Sequence, residues 1–507
     1  IHNLRESFDK HYLATRYDLE ADNCDILMHE EDPLDNDKVR IERIDGDKNA
    51  DEDYEALLDW IQDNPLSVPE NYLQLQTPDP LRPGSIDVTN YADYIIAETF
   101  FANTDWPINN CDFWRAHTNQ TAASGKYGDT RWRWMLYDLD VAGAEGPDFD
   151  MFAYLSDKDM TGAKEPGFLI NQLWQNMDFR NHFVTRYANL LNTTFRPERL
   201  ADLIHQAADV IAPEIERHFR RWGRAHTQAQ WRQAVDHALV QYTARRHEVS
   251  WNHLDAHFSL GGTGTLTVRN TDPSGVGGRF TVNGVVLDTA TEGVTDRAAW
   301  TGRFFRSLPV PVQAVSDPGY AFDGWAGTAI TNPSPSLFVG ATPITLVARF
   351  RLASAPAYVP TGYEQWQPAN YSEIEVLGGA VAAPDAPSGC AGLSNFELYA
   401  FGMGRHDGLT DQQRLVRASI SIDRRSDGFW LGYTRLNDSF HDVRYTLQIA
   451  LDLQAPIAWN DAVAGVDLAP ETIIHVLDAS TWRVETRLAP TASAHDVRFF
   501  RLEVAPQ

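Results

Sequence analysis

The stretch NTDWPINNCDFW, residues 103–114, sets an aspartate, a proline and two asparagines directly after an apolar run. Asp105 and Asn110 stand five positions apart. In phosphoryl transfer that D-x-x-x-x-N spacing serves a loop whose aspartate orients the attacking hydroxyl and whose asparagine oxygen holds a divalent cation. Two further carboxylates, Asp138 and Asp140, follow in the segment YDLD. Aspartates and a carboxamide oxygen are hard donors that suit Mg2+ or Mn2+. The same residues also have an ordinary structural reading. Asp105 can open a turn, Asn109 and Asn110 can form an Asx turn, and Asp138 and Asp140 can end a strand. Local spacing leaves both readings open.

Elements on either side must position these groups. Asp87 is placed to cap the run VTNYADYIIAETFFAN, whose apolar positions Val88, Tyr91, Tyr94, Ile95 and Phe101 predict an amphipathic helix ending near Asn103. That helix delivers the Asp105 loop, and Pro107 stiffens it. CDFWRAH and RWRWMLYDLDV read as two strands around a polar tip, which returns Asp138 and Asp140 toward Asp105. Trp132 and Trp134 alternate with Arg131 and Arg133, as on a strand with one buried face. Upstream, FDKHYLATRY and YEALLDWIQD predict helices, with an acidic loop over 30–55 between them. Residues 167–258 carry helical periodicity throughout. The pairs Arg220-Arg221 and Arg245-Arg246 read as surface charges there, and His205, His218, His237, His247 and His253 as solvated or packing residues. The break GGTGT runs from helix into strand, opposite to the order that puts phosphate on a helix N-terminus, and reads as a turn.

The order of motifs carries a resemblance. IHNLRESFD at 1–9, the helix within 86–98, NTDWPINN at 103–110 and the Arg/Trp strand ending in DLD at 131–140 resemble the CotH protein-kinase family, named after a bacterial spore-coat kinase. The resemblance covers about the first half of the chain. It implies an α-rich kinase-like C-lobe over 1–258, and strand patterning beyond it makes the whole a multi-domain protein with two all-β domains after that lobe. The resemblance further implies ATP or another nucleotide and Mg2+ or Mn2+ as cofactors, and a protein with a Ser/Thr acceptor as substrate. Carried onto this sequence, Asp105 is the catalytic carboxylate. Asn110 is a metal ligand, with Asn109 as the alternative, and Asp138 is the metal aspartate, with Asp140 as the alternative. Glu6 falls at the nucleotide edge. No phosphate-covering lobe precedes Ile1, so the chain as given is expected to be inactive alone.

Length and composition bound the remainder. At 507 residues the chain is long enough for roughly three or four domains. A hydrophobic content of 43% supports packed cores rather than disorder. A net charge of −27 argues against nucleic acid as a partner and makes cations necessary for any phosphate chemistry. The three cysteines have no metal-type spacing, and no run is long and apolar enough for a membrane span. Residues 261–352 predict a small β-domain similar to InlB B-repeats, with Tyr320, Phe322 and Trp325 as core aromatics or, alternatively, a carbohydrate-stacking platform. A Pro/Ala linker is expected at 353–370 and a β-sandwich at 371–507. Such appendages point to an exported bacterial protein at the cell surface or outside the cell, with possible cell-surface or glycan contact. A second class of function is therefore adhesion, with a degenerate kinase-like part. A third is a surface protein with a calcium loop in DNDKVRIERIDGDKNADED.

Overall fold

The computed structural model describes residues 7–32, 35–79, 84–119, 121, 125–162, 165–224, 226–450, 459–463, 468–489 and 499–507. Two compact units emerge, one built mainly from residues up to Thr263 and the other mainly from Gly264 onward. No described helix is long and apolar enough to cross a membrane.

The first unit opens with α1 (Lys10–Tyr17), whose N-cap Asp9 accepts the backbone N–H groups of His11 and Tyr12. β1 (Cys24–Asp32) and β2 (Asp35–Asp45) then form an antiparallel hairpin. This corrects the expected acidic loop over 30–55. The segment VRIERID alternates, and its charged side chains suit an edge strand: among the described residues β2 pairs with β1 alone, and Arg40 bonds Glu42 at 3.0 Å and also Glu30. Charge along an edge resists pairing with other chains. The segment expected as a calcium loop lies on β2 and the start of the helix Ala50–Asp63. Among the described residues no group of three or more His, Cys, Asp or Glu is arranged to hold a metal ion.

β3 (Asp112–Ala116) pairs antiparallel with β4 (Arg133–Met135), as expected, and the sheet order is β2-β1-β3-β4. The expectation of one buried face on β4 is corrected, because Trp132, Arg133, Trp134 and Met135 are all buried. The Arg133 guanidinium tolerates this because it bonds Asp87 at 3.0 Å and Asp129 at 2.7 Å. A buried charge persists only when paired and hydrogen-bonded. Around the sheet lie α2 (Ala50–Asp63), α3 (Pro69–Gln76) and α4 (Val88–Phe101). Then come α5 (Met151–Leu155), α6 (Phe168–Trp174), α7 (Met177–Asn192) and α8 (Pro197–Arg221). α9 (Gln228–Val235) continues through a π turn at Asp236–Val240 into α10 (Gln241–Phe258). One core joins Ile61, Ile95, Phe100, Phe113, Trp132, Phe183, Tyr187 and Trp251. α4 is buried nearly all round rather than amphipathic, so it is the central strut of this unit.

The stretch 263–352, mostly within the second unit, holds β5 (Thr263–Asn270), β6 (Gly278–Val282), β7 (Val285–Leu287), β8 (Ala299–Phe305), β9 (Val310–Ser316), β10 (Tyr320–Trp325), β11 (Ser336–Leu337) and β12 (Ile344–Leu352). They form two sheets, β10-β12-β5-β8 and β11-β9-β6-β7, with β12 parallel to β5. Trp325 is 1% exposed, packs on Phe280 and Phe322, and donates its Nε1–H to the Asn332 carbonyl at 2.9 Å. It cannot serve as a stacking platform.

The stretches expected as a linker over 353–370 and as pure β-sandwich from 371 contain helices instead. α11 (Gly362–Asn370), α12 (Glu373–Gly378), α13 (Asn395–Ala400) and α14 (Asp411–Arg417) precede the remaining long strands. Each starts with a capping box: Thr361 with Glu364, Ser372 with Glu375, Ser394 with Glu397 and Thr410 with Gln413. Reciprocal side-chain bonds satisfy the first orphan N–H groups and make these short helices viable. The strands after Ser421 form one sheet of four and one of three.

Candidate functional site

α4 starts on Asp87, whose carboxylate accepts the Asn90 N–H at 3.2 Å, and stops at Ala102 in the left-handed region (φ 49°). The chain then turns into the Asp105 loop. Asp105 Oδ2 accepts Asn110 Nδ2 at 2.8 Å, and Asp105 Oδ1 accepts Asn109 Nδ2 at 3.2 Å. The backbone N–H of Asn109 donates to the Asp105 carbonyl at 3.0 Å. The turn reading and the site reading therefore describe the same loop. Both asparagines hold the Asp105 carboxylate through their Nδ2 groups. Asn110 has φ 55°, a conformation that asparagine tolerates better than most residues. The Trp106–Pro107 peptide is cis.

Buried polar groups support this loop from beneath. The Asn103 amide donates to Glu98 Oε2 at 3.0 Å, with both side chains fully buried. Burial pushes the Glu98 carboxyl up to about 8, only partly offset by the Asn103 bond. His29 Nδ1 lies 3.1 Å from the Pro107 carbonyl. A carbonyl only accepts, so Nδ1 carries the proton of this bond. Burial holds the His29 pKa below its ordinary value.

Asp138 and Asp140 line an open cleft of about 770 Å³ together with Phe8, Tyr12, Asp112 and Tyr137. Asp138 adopts φ 48°. Residues in sparsely populated backbone regions gather at functional sites. Burial raises Asp112 to about 6, with the Tyr137 hydroxyl acting against it through a 2.9 Å bond to Oδ1. Glu6 lies outside the described residues, while Ser7 and Phe8, which follow it, line this cleft.

The two carboxylate loops are tied to each other at both ends. At one end Asp112 pairs with Met135 across β3 and β4 and accepts the Tyr137 hydroxyl. At the other, Asn103 bridges Ala142, and the Gly143 N–H donates to the Ala102 carbonyl at 3.1 Å. Asp105, Asn109 and Asn110 lie within one bounded loop, and Asp138 and Asp140 within the other. Asp138 and Asp140 line the cleft described above, and Asn110 is not among its lining residues.

Several residues of this region escape sequence reasoning. Glu98 leaves a signal, a lone carboxylate within the apolar run YIIAETFF. His29 and Asp112 leave none, since their roles arise from long-range packing. The surface reading of Arg246 is corrected: it is 2% exposed and donates to the Thr99 and Phe100 carbonyls. Adjacent helical residues point about 100° apart, so Arg245 faces outward to Asp148 while Arg246 faces inward.

The family model described as CotH kinase protein matches residues 1–250. Comparison with curated proteins gives no match, and comparison with solved structures gives none. Through residues 1–250, which carry both carboxylate loops, the chain belongs to the CotH kinase family.

Proposed function

We propose that the protein is an exported, metal-dependent protein kinase that transfers the terminal phosphoryl group of ATP or another nucleotide to a protein Ser or Thr. The observation that supports this reading is the double tie between the loop that carries Asp105 and the loop that carries Asp138 and Asp140. Asp105 orients the acceptor hydroxyl and takes its proton. The hydroxyl oxygen forms a bond to the terminal phosphorus as the bridging oxygen leaves with the nucleoside diphosphate. Asn109 and Asn110 fix the carboxylate so that little reorganisation is needed at the moment of transfer. Asn110 Oδ1 and Asp138, with Asp140 as the alternative, would hold Mg2+ or Mn2+. The cation, when bound, neutralises phosphate charge that a chain of net charge −27 would otherwise repel. The aromatic faces of Phe8 and Tyr12 in the cleft suit a nucleotide base. The β-rich second unit suits display outside the cell.

The test is transfer of labelled phosphate from nucleotide to a Ser/Thr acceptor by the intact protein. Asp105→Ala is expected to lower the rate by about 10²–10⁴-fold, and Asp138→Ala to abolish the cation dependence together with the activity. Wild-type transfer by Asp105→Ala would overturn the assignment.

A further inference from the structure

Helix α4 ends with carbonyls that have no partner within the helix, and α10 supplies the partners of the last three. The last four C=O groups of a helix are orphans by geometry. Here the Glu98 carbonyl takes the N–H groups of Ala102 and Asn103. The Thr99 carbonyl takes Arg246 Nη2 at 2.7 Å, and the Phe100 carbonyl takes Arg246 Nε at 2.9 Å. The Phe101 carbonyl takes the Tyr242 hydroxyl at 2.7 Å. Tyr242 and Arg246 stand four residues apart, on one face of α10. The positive guanidinium also lies at the negative end of the α4 dipole.

The same two side chains grip the segment after Asp140. Arg246 Nη1 donates to the Pro147 carbonyl at 2.7 Å and to the Phe149 carbonyl at 2.9 Å. Gly143 (φ 76°) lies so close to the Tyr242 ring that a Cβ there would stand 2.5 Å from it. Glycine is required at that position for both the conformation and the close approach. Arg246 thus spends its donors on two segments at once, and the planar fork of arginine is the group able to do so.

We propose that Tyr242 and Arg246 are positioning residues that lock the Asp105 loop to the Asp138–Asp140 segment, so that α10 sets the alignment of the two halves of the site. The link to catalysis rests on the kinase reading above; the clamp itself does not. Tyr242→Phe is the sharpest variant, since it removes one hydroxyl and keeps the ring under Gly143. Arg246→Lys is the second, since one ammonium cannot reach four carbonyls.

The experiment combines hydrogen exchange with steady-state transfer kinetics on the intact protein. Tyr242→Phe is expected to speed amide exchange both at 102–110 and at 142–149, with the rest of the first unit unchanged. It should lower kcat by about tenfold to a hundredfold while KM for nucleotide and acceptor stays within about twofold. Arg246→Lys should do the same more strongly. Wild-type exchange at either segment overturns the clamp, and so does a uniform rise across the first unit, which a merely structural role would give. A change in KM with kcat preserved overturns the positioning role. If the intact wild type transfers no phosphate, the kinase reading fails, and the exchange pattern alone decides for or against the clamp.

Discussion

The CotH domain and the small β-domain after it bury polar groups in opposite ways. Over residues 263–352 the buried polar side chains among the described residues are Asn270 and Thr328, and each bonds a carbonyl nearby in sequence. In the CotH domain His29, Glu98, Asn103, Asp112, Arg115, Arg133 and Arg246 are all buried. Many of their bonds span long separations, as in His29 to Pro107, Arg115 to Asp25 at 2.8 Å, and Arg246 to Phe100. Each buried polar group left unpaired costs about 1–3 kcal/mol. Glu98 Oε1 and Asn103 Oδ1 have no hydrogen-bond partner among the described residues. In the CotH domain these two atoms sit beneath the Asp105 loop, and the β-domain rests mainly on alternation and an aromatic core.

The largest effect expected from this contrast is the pH response of Glu98. Its carboxyl stays protonated in the folded state up to about 8, well above its unfolded value near 4.5. The folded state therefore binds more protons than the unfolded state across that window, and stability falls as pH rises through it, by roughly 4–5 kcal/mol for so complete a burial. Glu98→Gln keeps a neutral partner for Asn103. In thermal unfolding of the intact protein it should flatten the alkaline decline and raise the melting temperature at pH 8. An unchanged pH profile would remove Glu98 from the account.

Next in size is Trp325→Ala in the β-domain. Emptying that site is expected to cost about 3–5 kcal/mol in denaturant unfolding of the second unit, with phosphate transfer unchanged within about twofold. A parallel loss of transfer would break the separation of roles between the two regions.

The smallest effect belongs to His29. Burial lowers its pKa, so the folded state binds fewer protons, and the stability it contributes is lost as pH falls below its ordinary value near 6.5. His29→Gln should lose about 1 kcal/mol at neutral pH and show a weaker acid decline in the same melting series. An acid decline as steep as that of the wild type would assign it to other groups.

Much of the frame around the loop was legible in the sequence. The Asp87 cap, the helix before Asp105, the strand pair on either side of the polar tip and the break near 260 all follow from local signals, and local signals are what periodicity and capping report. The family resemblance was legible as an order of motifs. The β2 strand was missed because an edge strand dressed in charge has the composition of a loop. The four capping boxes were visible as Ser/Thr followed three residues later by Glu/Gln, but proline-rich and alanine-rich composition pointed to a linker. Arg246 could not be distinguished from Arg245 by type, since only the packing of α10 turns one inward. Asp105 and Asn110 were visible as a spacing. Their tie to Ala142 and Gly143 was not, because it depends on contacts that no local pattern encodes.

The central claim is that Asp105 and Asp138 serve one site in different roles. Calorimetric titration of the intact protein with nucleotide in the presence of Mn2+, alongside transfer assays, tests it most directly. The account predicts that Asp138→Asn loses Mn2+-dependent nucleotide binding, while Asp105→Asn binds as the wild type does and fails to transfer. Binding by Asp138→Asn at wild-type affinity, or transfer by Asp105→Asn at the wild-type rate, would contradict it.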